Sequence, residues 1–202
     1  MYSPEVTLPS RRVLVEPGLE RRDELGFLDI GRTPRVGDVP SLLEYPASWV
    51  TAPPWLGKST VARSLFGWLT TSPEALGGVG DQVTLTELGR PGAERDVPPM
   101  WWQGWLRAGG STPAVWILDG LDEAADLNER LLSAFLAPLE HLTTDQRGQL
   151  RLVIFSRVHP GLANVRGKLL KWYPPYSGRN RSLLWAIHQR GAADVLFVGL
   201  RV

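Results

Sequence analysis

Hydrophobic residues along the middle of the chain form short runs that polar and glycine-rich stretches separate. Two of the runs, 114–118 and 152–155, are apolar throughout, which is typical of strands buried on both faces of a sheet. Residues 82–88 alternate between apolar and polar positions, the pattern of a strand with one buried face. Together with 48–51, these runs predict the strands of a central sheet.

Helices are predicted between these strands, from the spacing of the apolar residues. Residues 59–70 carry apolar side chains at the spacing of a helix with one buried face, and 127–142 do so more strongly, with a kink expected at Pro138. A shorter helix is predicted over 100–107. Strands that alternate with helices are typical of βα units, so the pattern predicts an α/β protein with a mostly parallel sheet.

The two ends of the chain are less regular. Short strands are predicted near them at residues 12–16, 169–173 and 195–200. Glycine and proline residues predict a loop over much of 31–45, after a helical turn or second short element at 23–30.

Composition excludes several classes of function. The 202 residues suffice for one α/β domain with a sizeable core, and 22 Lys and Arg against 21 Asp and Glu leave a net charge of +1. This balance predicts neither a nucleic-acid partner nor an anionic membrane partner. The absence of cysteine rules out disulfides and thiol catalysis. No apolar run approaches the roughly eighteen residues of a membrane helix, and the N-terminus has no signal-peptide pattern, so a cytoplasmic location is expected.

A candidate phosphate-binding loop follows the first of the central strands. Its sequence is Ala52-Pro53-Pro54-Trp55-Leu56-Gly57-Lys58-Ser59-Thr60. The usual pattern is G-x-x-x-x-G-K-[ST], in which backbone N–H groups cradle phosphates, the lysine reaches the outer phosphates and the hydroxyl binds Mg²⁺. Ala52 replaces the first glycine, and Trp55 is unusually large for a mid-loop position. Taken alone, the segment could equally be the start of an ordinary helix.

A candidate acidic motif begins about sixty residues downstream. The buried strand 114–118 runs directly into Asp119, and Asp122 and Glu123 follow. Ligands of open α/β sheets bind where the strands end, so we expect Asp119 to hold Mg²⁺ and Asp122 and Glu123 to orient or deprotonate the attacking water. The motif could also be a polar turn that caps a helix, but the phosphate loop upstream favours a nucleotide site. Arg157, just beyond strand 152–155, is expected near the γ-phosphate.

These residues resemble the NACHT group of the STAND signalling ATPases. The family's acidic motif is an apolar strand followed by D-G-x-D-E, which residues 119–123 match. AAA+ ATPases usually have Glu directly after the first Asp, where this chain has Gly120. The family's S-R-P motif corresponds to Ser156 and Arg157, with the proline displaced to Pro160. The resemblance covers roughly residues 45–160.

The resemblance implies a three-layer P-loop NTPase fold with the strand order of STAND and AAA+ proteins. It implies phosphate binding by Lys58, Mg²⁺ binding by Ser59 and Asp119, and a sensor role for Arg157. Asp122 and Glu123 would be the pair that polarises water. The predicted domains are a lead-in segment (1–45), the P-loop domain (46–175) and an unassigned, truncated C-terminal segment (176–202).

The implied activity is an ATP-dependent signalling switch that hydrolyses ATP slowly and alternates between ATP and ADP states. In bacteria the family often acts in immunity against phage. Its members carry helical and winged-helix subdomains, sensor repeats and effector domains, and they self-associate, so the chain is expected to belong to a longer parent protein and to lack the subdomains that cover the base. The alternatives are an AAA+-like ATPase that performs mechanical work, and a non-catalytic interaction module or remnant with a degenerate loop.

Overall fold

The protein is an α/β structure built on one seven-stranded sheet, as a computed structural model shows. The structure describes residues 12–16, 35–37, 40–43, 46–51, 54–55, 57–72, 74, 82–127, 129–157, 159–173 and 182–189. The strands are β1 (Arg12–Glu16), β2 (Arg35–Gly37), β3 (Ala47–Thr51), β4 (Val83–Glu87), β5 (Ala114–Asp119), β6 (Leu150–Ser156) and β7 (Ser182–Gln189). The helices are α1 (Lys58–Thr71), α2 (Trp102–Arg107), α3 (Leu121–Leu127), α4 (Glu129–Glu140), α5 (Thr144–Gln149) and α6 (Ala163–Trp172).

The strand order is β2-β1-β7-β3-β6-β5-β4. Strands β7, β3, β6, β5 and β4 run parallel to one another, whereas β1 pairs antiparallel with β7 and β2 pairs antiparallel with β1. Strand β6 lies between β3 and β5, so the segment after β6 lies between the phosphate loop and the acidic motif. This arrangement confirms the predicted fold class, a P-loop NTPase-like fold with a mostly parallel sheet.

Two hydrophobic cores cover the two faces of this sheet, which makes the protein three-layered. On one face, α1 packs through Val61, Leu65 and Leu69 against alternate residues of β3, β5 and β6. The other face carries α2, α3, α4 and α6. The centre strands are buried on both sides, which explains why β5 is apolar as far as Leu118 and β6 is apolar over 152–155.

An aromatic cluster joins α2 and α4 to the second face of the sheet. Trp102 packs against Trp105 and Trp116, and Trp116 meets the Phe135 ring edge-on at 5.5 Å between ring centroids. The indole N–H of Trp116 donates to the Thr86 hydroxyl at 3.1 Å, and that of Trp105 donates to the Thr112 carbonyl at 2.8 Å. These two buried indole donors are therefore paired.

Several predicted elements are confirmed within a few residues, and others are wrong. The strand predicted over 169–173 is instead the end of α6, because Leu162, Val165, Leu169 and Tyr173 are buried at helical spacing. The helix predicted over 127–142 is observed as α4, with Pro138 inside it and α3 before it. The loop predicted over 31–45 contains β2 and a 3₁₀ helix, Pro40–Leu43.

The elements predicted over 23–30 and 195–200 lie outside the described residues. Strand β7 was not predicted. It lies outside the 46–175 segment, pairs with β3 of that segment, and joins β1 and β2 to the sheet. Among the helices that the structure describes, none combines the length and apolar character needed to cross a membrane.

Candidate functional site

The phosphate loop ends in a tight turn that starts α1. Gly57 has φ 83°, a left-handed conformation that favours glycine, and the helix begins at the next residue, Lys58. Trp55 also has positive φ (69°), and 95% of its surface is exposed. Pro54 lies beside it in the turn, while Ala52, Pro53 and Leu56 lie outside the described residues. The backbone thus turns sharply into a helix N-terminus, where N–H groups without helical partners favour anions.

Lys58 lies half-buried at this N-terminus, close to the acidic motif. Burial lowers the pKa of its ammonium group, and the carboxylates of Asp122 and Asp119 oppose this effect. The Arg157 cation adds to the lowering, which places it near Lys58 as well. The exposed side chain of Thr60 lies in the same first turn of α1. The lysine of the loop and the ends of β5 and β6 therefore meet at the edge where the parallel strands end, which we call the carboxyl edge.

Ser59 connects α1 to the end of β5. Its hydroxyl approaches the carboxylate of Asp119, which is only 8% exposed. Burial raises the pKa of Asp119, and the Ser59 hydroxyl and the charge of Lys58 counteract the rise. A hydroxyl and a carboxylate oxygen thus come together beside a lysine. Such hard oxygen donors fit Mg²⁺, which is commonly held by one or two carboxylates plus substrate phosphates.

Asp122 lies in the first turn of α3 and is buried to 2% exposure. One of its carboxylate oxygens accepts the backbone N–H of Arg157 at 2.8 Å, and the other accepts the Nε–H of the same arginine. Burial by itself raises the pKa of Asp122, but the hydrogen bonds from Arg157 outweigh this effect and hold it below its usual value. The two predicted site residues are thus paired with each other.

Glu123, the next residue, is exposed and turns towards β4. Its carboxylate lies where a side chain on Gly89 would be, since an ideal Cβ there would approach Oε2 to 1.7 Å. At Gly120, which has φ 82°, a Cβ would lie at an ordinary contact distance of 3.4 Å from the same oxygen. Gly89 therefore makes room for the Glu123 carboxylate, and no pattern in the sequence indicates this role.

A further acidic residue, Glu87, lies next to Asp119 and was missed in the sequence. The register of β4 and β5 pairs Glu87 with Asp119. Arg63 of α1 bonds one oxygen of Glu87 at 2.7 Å, and Arg90 bonds the other at 3.1 Å. The hydrogen bond from Arg63 is the main reason that the pKa of Glu87 lies below its usual value. The signal that could have found it is the one used for Asp119, a carboxylate at the end of a predicted parallel strand.

The structure thus brings Lys58, Ser59, Asp119, Asp122 and Arg157 together at the carboxyl edge, with Glu123 beside them. No group of three or more His, Asp or Glu side chains in the described part of the chain is arranged to hold a metal ion by itself. A metal at this edge would need other ligands to complete its shell, as a bound triphosphate provides.

Comparisons with known proteins do not identify a family for the chain. No protein-family model and no curated protein matches the chain. The solved structures that resemble it include C. elegans PCH-2, an AAA+ ATPase, with a TM-score of 0.37 and 11% identity over 72% of this chain and 40% of that one. A likeness this weak carries no conclusion about activity, so the assignment depends on the sheet and the site.

Proposed function

We propose that the chain binds ATP together with Mg²⁺ and hydrolyses it slowly. The observation that carries the proposal is the approach of the Ser59 hydroxyl to the Asp119 carboxylate, close enough to lower the pKa of that group. It joins the last part of the phosphate loop to the buried end of β5, although sixty residues separate them in the sequence. An ordinary helix start and an ordinary polar turn would have no reason to meet in this way.

The proposed roles follow from where the side chains lie. Lys58 and the N–H groups at the start of α1 bind the phosphates, while Ser59 and Asp119 would hold Mg²⁺. The ion, when bound, neutralises charge that develops on the phosphates. Glu123, exposed beside the site, polarises the attacking water. Arg157 brings a second cation to the place where the γ-phosphate is expected.

We further propose that this ATPase is a signalling switch of the NACHT type. The support is the resemblance of residues 119–123 to the D-G-x-D-E motif, with Gly120 where AAA+ proteins usually have Glu. In that role, exchange between ATP and ADP would control self-association or contacts with sensor and effector domains of a longer parent protein. Defence of bacteria against phage is the output that the resemblance suggests.

The direct test of ATP binding is the substitution Lys58→Ala. Lys58 is expected to make charge-assisted contacts with the outer phosphates, so its removal should weaken Mg²⁺-ATP binding at least about tenfold, or about 1.4 kcal/mol. Isothermal titration calorimetry measures the affinity. Lys168→Ala is the matched control, because Lys168 is an exposed lysine in the middle of α6.

Affinity that stays the same in Lys58→Ala, or that falls equally in Lys168→Ala, would contradict the assignment. The first result would show that the loop does not bind phosphate. The second would show that any loss of positive charge weakens binding, as expected for non-specific attraction of an anion.

A further inference from the structure

We propose that Asp122 is a positioning residue, which holds the Arg157 guanidinium towards the γ-phosphate, and that Glu123 alone polarises water. This inference rests on the proposed function and assigns Asp122 a role different from the one that the family resemblance implies. It is carried by the hydrogen bonds of Asp122, by its burial and by the place of Arg157 in the sheet.

The hydrogen bonds of Asp122 and its burial together leave its carboxylate little access to a water molecule. One oxygen accepts the backbone N–H of Arg157, and the other accepts the Nε–H of the same arginine. The Asp122 side chain is 2% exposed. A group that polarises a nucleophilic water must come within hydrogen-bond distance of it, and Glu123, which is exposed next to the site, is placed better for this role.

The position of Arg157 explains what the pairing achieves. Arg157 follows β6, which lies between the phosphate-loop strand β3 and the acidic strand β5. Its cation lies close enough to Lys58 to lower the pKa of the lysine. Arg157 and Lys58 thus bring cations from two elements to the carboxyl edge, where the carboxylates of Asp122 and Asp119 partly balance them and where the γ-phosphate would lie.

Asp122 is buried and Arg157 is partly exposed, as expected if Asp122 positions the arginine. The Asp122 side chain is 2% exposed, while that of Arg157 is 42% exposed. The carboxylate is thus the fixed partner, anchored in the first turn of α3, and the guanidinium extends from it. An arginine whose Nε is already held loses less conformational entropy when a phosphate binds.

The test is a double-mutant cycle with Asp122→Asn and Arg157→Gln, both close in shape to the native residues. Calorimetry gives the affinities for Mg²⁺-ATP and Mg²⁺-ADP, and their ratio isolates contacts with the γ-phosphate. We expect each single variant to lower the ATP-to-ADP affinity ratio about tenfold, and the double variant to lower it no further. Asp145→Asn, which removes an exposed carboxylate from α5, should leave the ratio unchanged.

A second measurement is independent of nucleotide. In the protein without ligand, the Nε–H proton of Arg157 should exchange slowly with solvent by NMR, and it should exchange rapidly in Asp122→Asn. If the ion pair had only a structural role, Asp122→Asn would show faster exchange and a lower melting temperature. Its ATP-to-ADP affinity ratio would then stay as in the wild type.

The outcomes separate this inference from the proposed function. Wild-type protein that binds no Mg²⁺-ATP would overturn both. Wild-type binding with an unchanged ratio in Asp122→Asn would overturn only the positioning role. The positioning role would also be overturned if Asp122→Asn abolished turnover at unchanged affinities and its effect added to that of Arg157→Gln, because Asp122 would then act on water.

Discussion

At the scale of single residues, the candidate site depends on three glycines. Gly57 and Gly120 have left-handed backbone conformations at the ends of the loop and of β5. Gly89 is different, because its lack of a side chain matters only for the Glu123 carboxylate above it. The position of the proposed catalytic base is therefore controlled by a residue in the turn after β4.

This control can be tested with Gly89→Ala compared with Glu123→Gln. Glu123→Gln keeps the shape of the side chain and removes the base, so turnover should fall about 100-fold at unchanged ATP affinity. The alanine methyl should displace the Glu123 carboxylate and give a smaller loss of turnover in the same direction. Steady-state hydrolysis and calorimetry measure the two quantities.

Gly104→Ala is the control for this pair of variants. A methyl group at Gly104, on α2, meets no atom within 4 Å, and alanine favours the helix. Turnover that is normal in Gly89→Ala would show that Glu123 takes another position when it acts. Normal turnover in Glu123→Gln would instead place the base elsewhere.

At the scale of elements, buried aromatic contacts hold the helices of the second face to the sheet. Phe135 of α4 is fully buried and meets Trp116 of β5 edge-on. The α5 helix has a different kind of local support, a capping box in which Thr143 and Gln146 satisfy each other's backbone N–H groups. Aromatic packing thus holds α4 to the sheet, whereas hydrogen bonds at its N-terminus stabilise α5.

Phe135→Ala should remove much of the attachment of α4. Truncation of a buried phenylalanine typically costs about 3–5 kcal/mol, because it loses burial and leaves a cavity. Urea unfolding followed by circular dichroism measures the free energy of unfolding, with Ser133→Ala as the control on the exposed side of α4. A loss of less than about 1 kcal/mol would mean that neighbouring side chains refill the space.

At the scale of the whole molecule, ligand binding should stabilise the fold, because the site is assembled from α1, β5, α3 and the end of β6. A ligand that binds only the folded state at one hundred times its Kd stabilises it by about 2.7 kcal/mol. For a chain of this length, that shift raises Tm by roughly 5–10 °C. Differential scanning calorimetry with Mg²⁺-ATP measures it.

The rise should depend on Mg²⁺ and on the carboxyl edge. Asp119→Asn should keep most of the unliganded Tm and lose the Mg²⁺-dependent part of the rise, because its carboxylate is a proposed ligand of the ion. An equal rise in Tm with and without Mg²⁺ in the wild type would contradict the metal assignment.

The sequence predicted local elements well and predicted poorly the elements whose identity depends on distant neighbours. Strand β3, helix α1 and strand β5 were predicted within a few residues, because periodicity and the glycine and proline pattern are local properties of the chain. Strand β7 and helix α6 were missed or assigned wrongly, because short apolar segments fit a strand and a helix equally well until their neighbours are known.

The sequence by itself determined the chemistry available to the site: a lysine and a hydroxyl at a helix start, and carboxylates after a buried strand. Only the tertiary structure decided how these groups pair. Asp122 bonds Arg157 across 35 residues, Glu87 lies beside Asp119 through the register of β4 and β5, and Glu123 occupies the space above Gly89. These contacts depend on the order and register of strands, which long-range burial determines and local periodicity does not encode.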